Sequence, residues 1–275
     1  MKILRLLSSA LGLLMLTQCM TVAPSSSGAY GEAAGTARMA STSAPASAPP
    51  PLDRRADVSL AERPGLGTQL GSHVHQDTVN TTFYRRNNHV PDASVSFHYN
   101  DEEGAKLMAR VHGARMSHGG SFDLVSGKLR VTVKRRGWGA AFRHYDSGGR
   151  IIVIGSPGEE YEIHMTNLTQ HRLLVVTSVD GLDVRTGRPA SASGHGYVIA
   201  ERSSLTISGM RVSGVLRAFR FSTVADSRAA TAYGESGARN VGVIGVAMYE
   251  EDEAARRRVR VEENYIREGA RAFGN

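Results

Sequence analysis

Ten histidines and several aspartates are the residues of this chain whose types could bind a metal ion or move a proton. His73 and His75 would project from one face of a strand, but no Asp, Glu or Cys stands nearby at the spacing of a metal motif. Asp180, Asp183 and Asp226 could share a cation, although aspartate beside glycine is ordinary turn chemistry. No nucleophile-elbow pattern accompanies the serines. The sequence therefore predicts no catalytic residue, no metal site and no cofactor.

A cluster of basic residues, here called the basic strand, is the strongest candidate for ligand contact. It consists of Lys128, Arg130, Lys134, Arg135 and Arg136, followed by Trp138. Alternation along the strand would place several cations on one outer face with an aromatic residue at its end. Such a face suits an anionic polymer or a lipid headgroup. The alternative is a solvated strand face that binds nothing.

The only cysteine of the chain, Cys19, closes its only strongly apolar stretch. Lys2 and Arg5 precede residues 6–16, an apolar stretch of 11 residues. That length is typical of a secretory signal and falls short of the roughly 20 apolar residues that cross a bilayer. We therefore expect a signal peptide over residues 1–19, with a buried N-terminal helix as the alternative.

Leu16, Thr17, Gln18 and Cys19 resemble the lipobox of bacterial lipoproteins, in which the cysteine thiol is acylated after cleavage. The resemblance implies a lipid anchor at Cys19, to which each buried CH₂ contributes about 0.8 kcal/mol. Gln18 departs from the small residue usual at that position, so an ordinary signal peptide cut further along is the alternative. Met20, where an Asp would favour the inner membrane, indicates the outer membrane. An acylated Cys19 leaves no thiol for a disulfide.

The composition of the chain changes abruptly after the predicted signal. From residue 21 to residue 51, 26 of 31 residues are Ala, Gly, Ser, Thr or Pro, which cannot build a core. We expect a disordered linker over 20–57, with a root-mean-square reach of roughly 30 Å. Residues 58–120 resemble a polar extension containing a short amphipathic helix, and residues 251–275 a charged helix or tail.

The remaining residues, 121–250, consist of short apolar segments separated by turn signals. Residues 128–134 alternate strictly between apolar and polar side chains, as a half-buried strand does. Glycine-containing turns such as Asp180-Gly181 and Thr186-Gly187 punctuate the series. Eight to ten such strands without long helices between them predict an all-β fold, either an antiparallel β-sandwich or a jelly-roll-like barrel.

Five short sequence blocks stand in a fixed order in the second half of the chain. They are VVTSVDGLDV at 175–184, GYVI at 196–199, ISG at 207–209, AFRF at 218–221 and NVGVIGVA at 240–247. In this order they resemble a family of uncharacterised proteobacterial envelope proteins. The resemblance covers about residues 150–250 and implies an envelope location. It implies no activity and no site residues, because none is assigned to that family.

These features predict a bacterial cell-envelope lipoprotein whose sandwich is a non-enzymatic adhesion, scaffold or assembly module on a flexible linker. Its expected location is the outer membrane, or otherwise the periplasm or the medium. The expected partners are a membrane, through Cys19, and an anionic envelope polymer or a protein, in line with a formal net charge of +7. Nucleic acid is not an expected partner of an exported protein. The alternative is an envelope hydrolase or a sugar-binding protein with a cleft on the sandwich.

Overall fold

Two β-sheets and three helices make up the computed structural model, which describes residues 59–137 and 139–270. The strands are β1 (Leu66–His73), β2 (Ala93–Asn100), β3 (Arg115–Met116), β4 (Phe122–Leu124), β5 (Leu129–Arg135), β6 (His144–Asp146), β7 (Ile151–Ile154), β8 (Glu160–Asn167), β9 (Leu173–Val179), β10 (Leu182–Asp183), β11 (Tyr197–Ile199), β12 (Ser204–Ile207), β13 (Gly209–Val212), β14 (Val215–Thr223) and β15 (Val243–Glu250). The helices are α1 (Glu102–Val111), α2 (Arg228–Ala238) and α3 (Glu253–Glu268). The predicted signal peptide with Cys19, the predicted linker and Trp138 lie outside the described residues.

The strands form two sheets that pack together as a sandwich. Sheet I has seven strands in the order β1-β14-β8-β5-β4, with β12 paired to β8 and β13 to β14. Sheet II has eight strands in the order β10-β9-β15-β2-β7-β6-β3, with β11 paired to β9. Strands β2 and β7 are parallel, unlike the other pairs described in these sheets. The all-β sandwich predicted from the alternating segments is therefore confirmed.

Helix α1 packs on β2, β6 and β7 of sheet II, and helix α2 packs on β1 of sheet I. Helix α1 supplies part of the crossover that a parallel pair requires, and its Ala105 and Ala109 pack on Ile152 of β7. The Asp101 carboxylate caps this helix by accepting a hydrogen bond from the Gly104 N–H (2.7 Å). The predicted amphipathic helix and the predicted charged C-terminal helix are both present. Among the described residues, no helix combines the length and the apolar composition needed to cross a membrane.

The core lies between the sheets and follows directly from the alternation of the strands. In β5, Leu129, Val131 and Val133 are buried while the intervening side chains point outward. Aromatic rings fill the centre, where Tyr161 of β8 stacks with Phe221 of β14 at a centroid separation of 4.3 Å. Burial of such apolar surface is the main stabilising contribution to the fold.

A buried chain of hydroxyl groups, here called the hydroxyl chain, crosses the core. The Tyr161 hydroxyl lies 2.7 Å from Thr68 Oγ1, which lies 2.8 Å from the Tyr99 hydroxyl. Tyr99 donates to Asp180 Oδ1 (2.5 Å), and the N–H groups of Thr68 and Gly242 also donate to this carboxylate (2.8 and 2.9 Å). Because Thr68 and Tyr161 belong to sheet I and Tyr99 to sheet II, hydrogen bonds link the two sheets. Burial raises the pKa of Asp180 to about 7, against the opposing effect of these hydrogen bonds.

The sandwich starts earlier in the chain than the predicted bounds of 121–250. Strands β1 and β2 are members of the two sheets, although the sequence predicts a polar extension at 58–120. Strand β1 gives no clear alternation because glycine and polar residues separate Leu66 from Leu70. Helix α2 was also not predicted, since its sequence is rich in alanine and glycine and has no stripe of large apolar residues.

Candidate functional site

The basic strand carries its charges in ion pairs. Lys128 pairs with Glu250 (2.6 Å), Arg130 with Asp123 (2.7 Å), Lys134 with Glu162 (3.0 Å), Arg135 with Glu159 (2.9 Å) and Arg136 with Glu160 (3.2 Å). An anionic ligand would have to displace a carboxylate at each of these positions. The pairing favours the interpretation of this surface as a solvated strand face over that of a ligand surface.

The pKa values of the paired carboxylates reflect the same arrangement. The hydrogen bond from Arg130 lowers the pKa of Asp123 below its ordinary value. The hydrogen bond from Lys128 likewise lowers the pKa of Glu250. Both acids are therefore ionised at neutral pH and neutralise the cations beside them.

Each of the three aspartates that could have shared a cation has its own structural role. Asp180 accepts hydrogen bonds in the core, and Asp226 accepts one from the Thr223 hydroxyl (2.7 Å) in the turn before α2. Asp183 accepts hydrogen bonds from the N–H of Arg185 (2.8 Å) within its own turn. In the described part of the chain, no group of three or more His, Cys, Asp or Glu side chains is arranged to hold a metal ion.

A groove of about 800 Å³ opens at the edge of the sandwich, between β11 of sheet II and strands β12 and β13 of sheet I. Its volume lies in the range of small-molecule sites. The irregular segment 77–89, between β1 and β2, forms one wall. We call it the arginine groove, because its lining includes Arg85, Arg185 and Arg211. The rest of the lining combines apolar, hydroxyl and amide side chains with Asp77, His89 and His195.

Local structure holds Arg185 and Arg211 next to each other although 26 positions separate them. The Asp183 carboxylate fixes the turn that carries Arg185. The Arg211 N–H donates to the Val184 carbonyl oxygen (2.8 Å), which joins this turn to β13. Gly187 allows the close approach, because a Cβ there would lie 2.7 Å from Val212 Cγ2 and its φ is +67°.

Tyr197 of β11 lines the groove together with these two arginines. The guanidinium carbon of Arg185 is 5.6 Å from the centroid of the Tyr197 ring. Burial raises the pKa of Tyr197, and the charges of Arg185 and Arg211 partly oppose that rise. Both guanidinium groups are therefore close enough to the phenol to act on it electrostatically.

The partners of Arg185 and Arg211 are backbone carbonyl groups. Arg185 donates to the Gly196 carbonyl oxygen (3.1 Å) and Arg211 to that of Gly214 (2.9 Å). Within the described residues, no carboxylate oxygen lies within 4.0 Å of either guanidinium group. Asp77 is the acidic residue of the groove lining, and it pairs with His75 (3.0 Å). Neither guanidinium group therefore has an ion-pair partner among the described residues, although the charge of Asp183 also acts on Tyr197.

Arg85 has a different role, since its hydrogen bonds hold the groove together. It donates to the carbonyl oxygens of Ser193 (2.9 Å) and Gly194 (2.5 Å) and lies 4.2 Å from the centroid of the Tyr249 ring. These contacts tie segment 77–89 to the loop before β11. Arg85 builds the wall, whereas Arg185 and Arg211 keep most of their donors available.

A buried ion pair supports the same wall from behind. Arg172 donates to both oxygens of Glu251 (2.8 and 3.1 Å), and the Glu251 side chain is fully buried. The other guanidinium nitrogen of Arg172 donates to the Thr81 hydroxyl (3.0 Å) and the Thr82 carbonyl oxygen (3.1 Å). This pair therefore anchors segment 77–89 to β9 and the end of β15.

Sequence reasoning did not predict the arginine groove. Arg185 directly precedes a turn that the sequence does predict, at Thr186-Gly187, but nothing in the sequence shows that β13 returns beside it. Comparison with protein-family models, with curated proteins and with solved structures finds no match to this chain. The resemblance to envelope proteins therefore stays a prediction, and function is argued from the groove.

Proposed function

We propose that this protein is a membrane-tethered, non-enzymatic binding module of the bacterial cell envelope, and that the arginine groove holds an anionic envelope component. The observation that carries the proposal is the pair Arg185 and Arg211, which line a groove of ligand size without a carboxylate partner among the described residues. Hydrogen bonds between charged groups are shorter and stronger than neutral ones. An anion in the groove would supply the counter-charge for Arg185 and Arg211.

The residues of the groove support binding rather than nucleophilic chemistry. A nucleophilic mechanism needs a hydroxyl group or thiol hydrogen-bonded to a base. One hydroxyl–imidazole hydrogen bond of this kind joins Thr206 to His164 (2.9 Å), and both residues lie outside the groove lining. The group of the groove whose pKa is shifted, Tyr197, has its pKa raised and stays protonated at neutral pH.

The tether comes from the sequence and explains where the groove would work. An acylated Cys19 followed by the predicted linker would hold the domain at a root-mean-square distance of roughly 30 Å from its membrane anchor. Anionic polymers and headgroups are concentrated there. Tethering would raise their effective concentration at the groove without any further contact.

The tether is tested with Cys19→Ser and the groove with Arg185→Gln/Arg211→Gln. We expect Cys19→Ser to move the protein from the membrane fraction to the soluble fraction, while Met20→Ala, the control, stays membrane-bound.

We expect Arg185→Gln/Arg211→Gln to lose capture of envelope polymer from intact envelopes, and Lys128→Gln/Arg130→Gln to retain it. Capture that persists in the groove variant would contradict the binding proposal.

A further inference from the structure

We propose that the arginine groove binds a saccharide unit carrying one oxyacid group, either a carboxylate or a phosphate ester. The inference rests on the proposed function and names the chemistry of the ligand at the same site. It combines two features of the groove. One is the unpaired cationic pair, and the other is the alternation of apolar and hydrogen-bonding side chains around it.

Arg185 and Arg211 would bind the oxyacid group. A guanidinium group has five N–H donors in a planar fork, and one hydrogen bond to a backbone carbonyl is described for each of these two residues. The remaining donors can bind two oxygens of one carboxylate or phosphate in parallel. Both residues line the same groove, and they start from adjacent backbone, because the Arg211 N–H donates to the carbonyl oxygen of Val184, the residue before Arg185 (2.8 Å). Two guanidinium groups in one groove suit a single oxyacid group.

The rest of the lining fits the body of a sugar. A sugar ring presents apolar C–H faces and a rim of hydroxyl groups. Tyr197, Leu174 and Leu205 supply apolar surface, and the amides of Asn80 and Asn88 can each donate and accept hydrogen bonds. A bare inorganic anion would leave the apolar surface unused, and an acyl chain would bury the amides without partners.

An acidic peptide fits the groove less well. Peptides that add to a sheet need an exposed strand edge along which several residues can pair. The strands beside the groove are short, because β11 contains three residues and β12 and β13 contain four each. Short edge strands resist pairing with another chain. The observations therefore favour a saccharide.

The experiment compares ligands that share one ring. The full-length protein in detergent is titrated by calorimetry with galacturonate, galactose 6-phosphate, galactose and inorganic phosphate. We expect at least one of the two acidic sugars to bind and galactose to bind about tenfold or more weakly, because the charged hydrogen bonds are lost. Arg185→Gln/Arg211→Gln should lose the acidic sugar, and the matched control Lys128→Gln/Arg130→Gln should bind within about twofold of wild type.

Two further variants keep the test independent of folding defects. Arg211→Lys keeps the charge and loses the planar fork, so it should weaken the acidic sugar while the unfolding midpoint stays unchanged. Tyr197→Ala should also bind the acidic sugar more weakly, because the sugar would lose the aromatic surface on which it packs.

Each adverse result has a distinct meaning. Equal binding of galactose would overturn the role of the oxyacid group, and equal binding of inorganic phosphate would overturn the saccharide. Tetra-aspartate is titrated in the same way as an acidic peptide. If it binds more tightly than either acidic sugar, the ligand class is a peptide and the saccharide is overturned. Failure of both acidic sugars, with envelope capture still dependent on Arg185 and Arg211, would overturn this inference and leave the proposed function standing. Loss of that dependence would overturn both.

Discussion

On the basic strand each cation faces a carboxylate, whereas in the arginine groove the cations face only backbone carbonyl groups. The pairing of strands explains the difference. Lys134 of β5 lies directly opposite Glu162 of β8, and Arg130 lies opposite Asp123 of β4. Oppositely charged residues at such positions attract each other across the sheet. Arg211 of β13, in contrast, lies opposite Leu216 of β14, so its register supplies no anion.

A dense run of basic residues is not by itself an anion-binding site. The run is visible in the sequence, but the fold neutralises it. The groove has fewer cations, but in the part of the chain that the structure describes Arg185 and Arg211 form no ion pair, so they are available to a ligand. Charge left uncompensated by the fold, rather than the number of charges, marks the better candidate for a ligand site.

The largest effect is expected at the buried pair of Arg172 and Glu251, which lies behind the groove. Arg172→Ala would leave the Glu251 carboxylate buried beside Arg256 alone (3.3 Å), and removing one member of a buried pair costs about 3 kcal/mol or more. Urea unfolding should show this loss, with weaker groove binding because Thr81 loses its anchor. Arg172→Lys, which keeps the charge, should lose less. A loss below about 1 kcal/mol would show that this pair behaves like the surface pairs.

A pH-dependent effect is expected from Asp180, the unpaired acid of the core. Its folded pKa of about 7 lies above the ordinary value of 3.8, so the folded state binds the proton more tightly. The resulting stabilisation is full below about pH 4 and is lost as the pH rises through 7. Between about pH 5 and pH 7 the free energy of unfolding should lose roughly 2 to 3 kcal/mol from this group.

The control for this effect is Asp180→Asn, which cannot ionise. Burial lowers the pKa values of His98, His144 and His164, and these groups make stability rise with pH in the same region. The difference between wild type and variant removes their contribution. If urea unfolding gives both proteins the same pH dependence from pH 5 to pH 8, the carboxyl group of Asp180 does not titrate there.

A smaller effect is expected from Asp183, which positions Arg185. Asp183→Ala would free the N–H groups of Arg185 and Thr186, costing about 1 kcal/mol of stability and weakening the binding of an acidic sugar. Asp183→Asn keeps the accepting oxygen and should retain most of both. Calorimetry of the two variants with galacturonate and galactose 6-phosphate measures this loss of binding. Unchanged binding by the alanine variant would mean that the Asp183 carboxylate is not needed to position Arg185.

The smallest effect is expected on the basic strand itself. Lys128→Gln and Arg130→Gln should leave the unfolding midpoint and the groove affinity unchanged, because exposed ion pairs are screened by water and salt. Thermal unfolding and envelope capture measure the two quantities. A selective loss of envelope capture would restore the basic strand as the contact surface.

Local patterns predicted much of the fold and none of the groove. Strand β5 was predicted at 128–134 and lies at Leu129–Arg135, because its apolar and polar side chains alternate strictly. Strand β1 was missed, since its glycines erase the alternation. The groove depends on the hydrogen bond between Val184 and Arg211, a contact between distant parts of the chain. No local pattern carries that information.

Strand β15 is the last strand of the described chain, yet it lies between β9 and β2 in sheet II. The strands on the two sides of β15 therefore cannot join into one sheet until residues 243–250 have been added between β9 and β2. A chain that leaves the ribosome or threads through a membrane pore with its N-terminus first cannot close its core gradually. Closure is a single late event that waits for almost the whole length, and a chain cut before β15 would present two open sheet edges to proteases and chaperones.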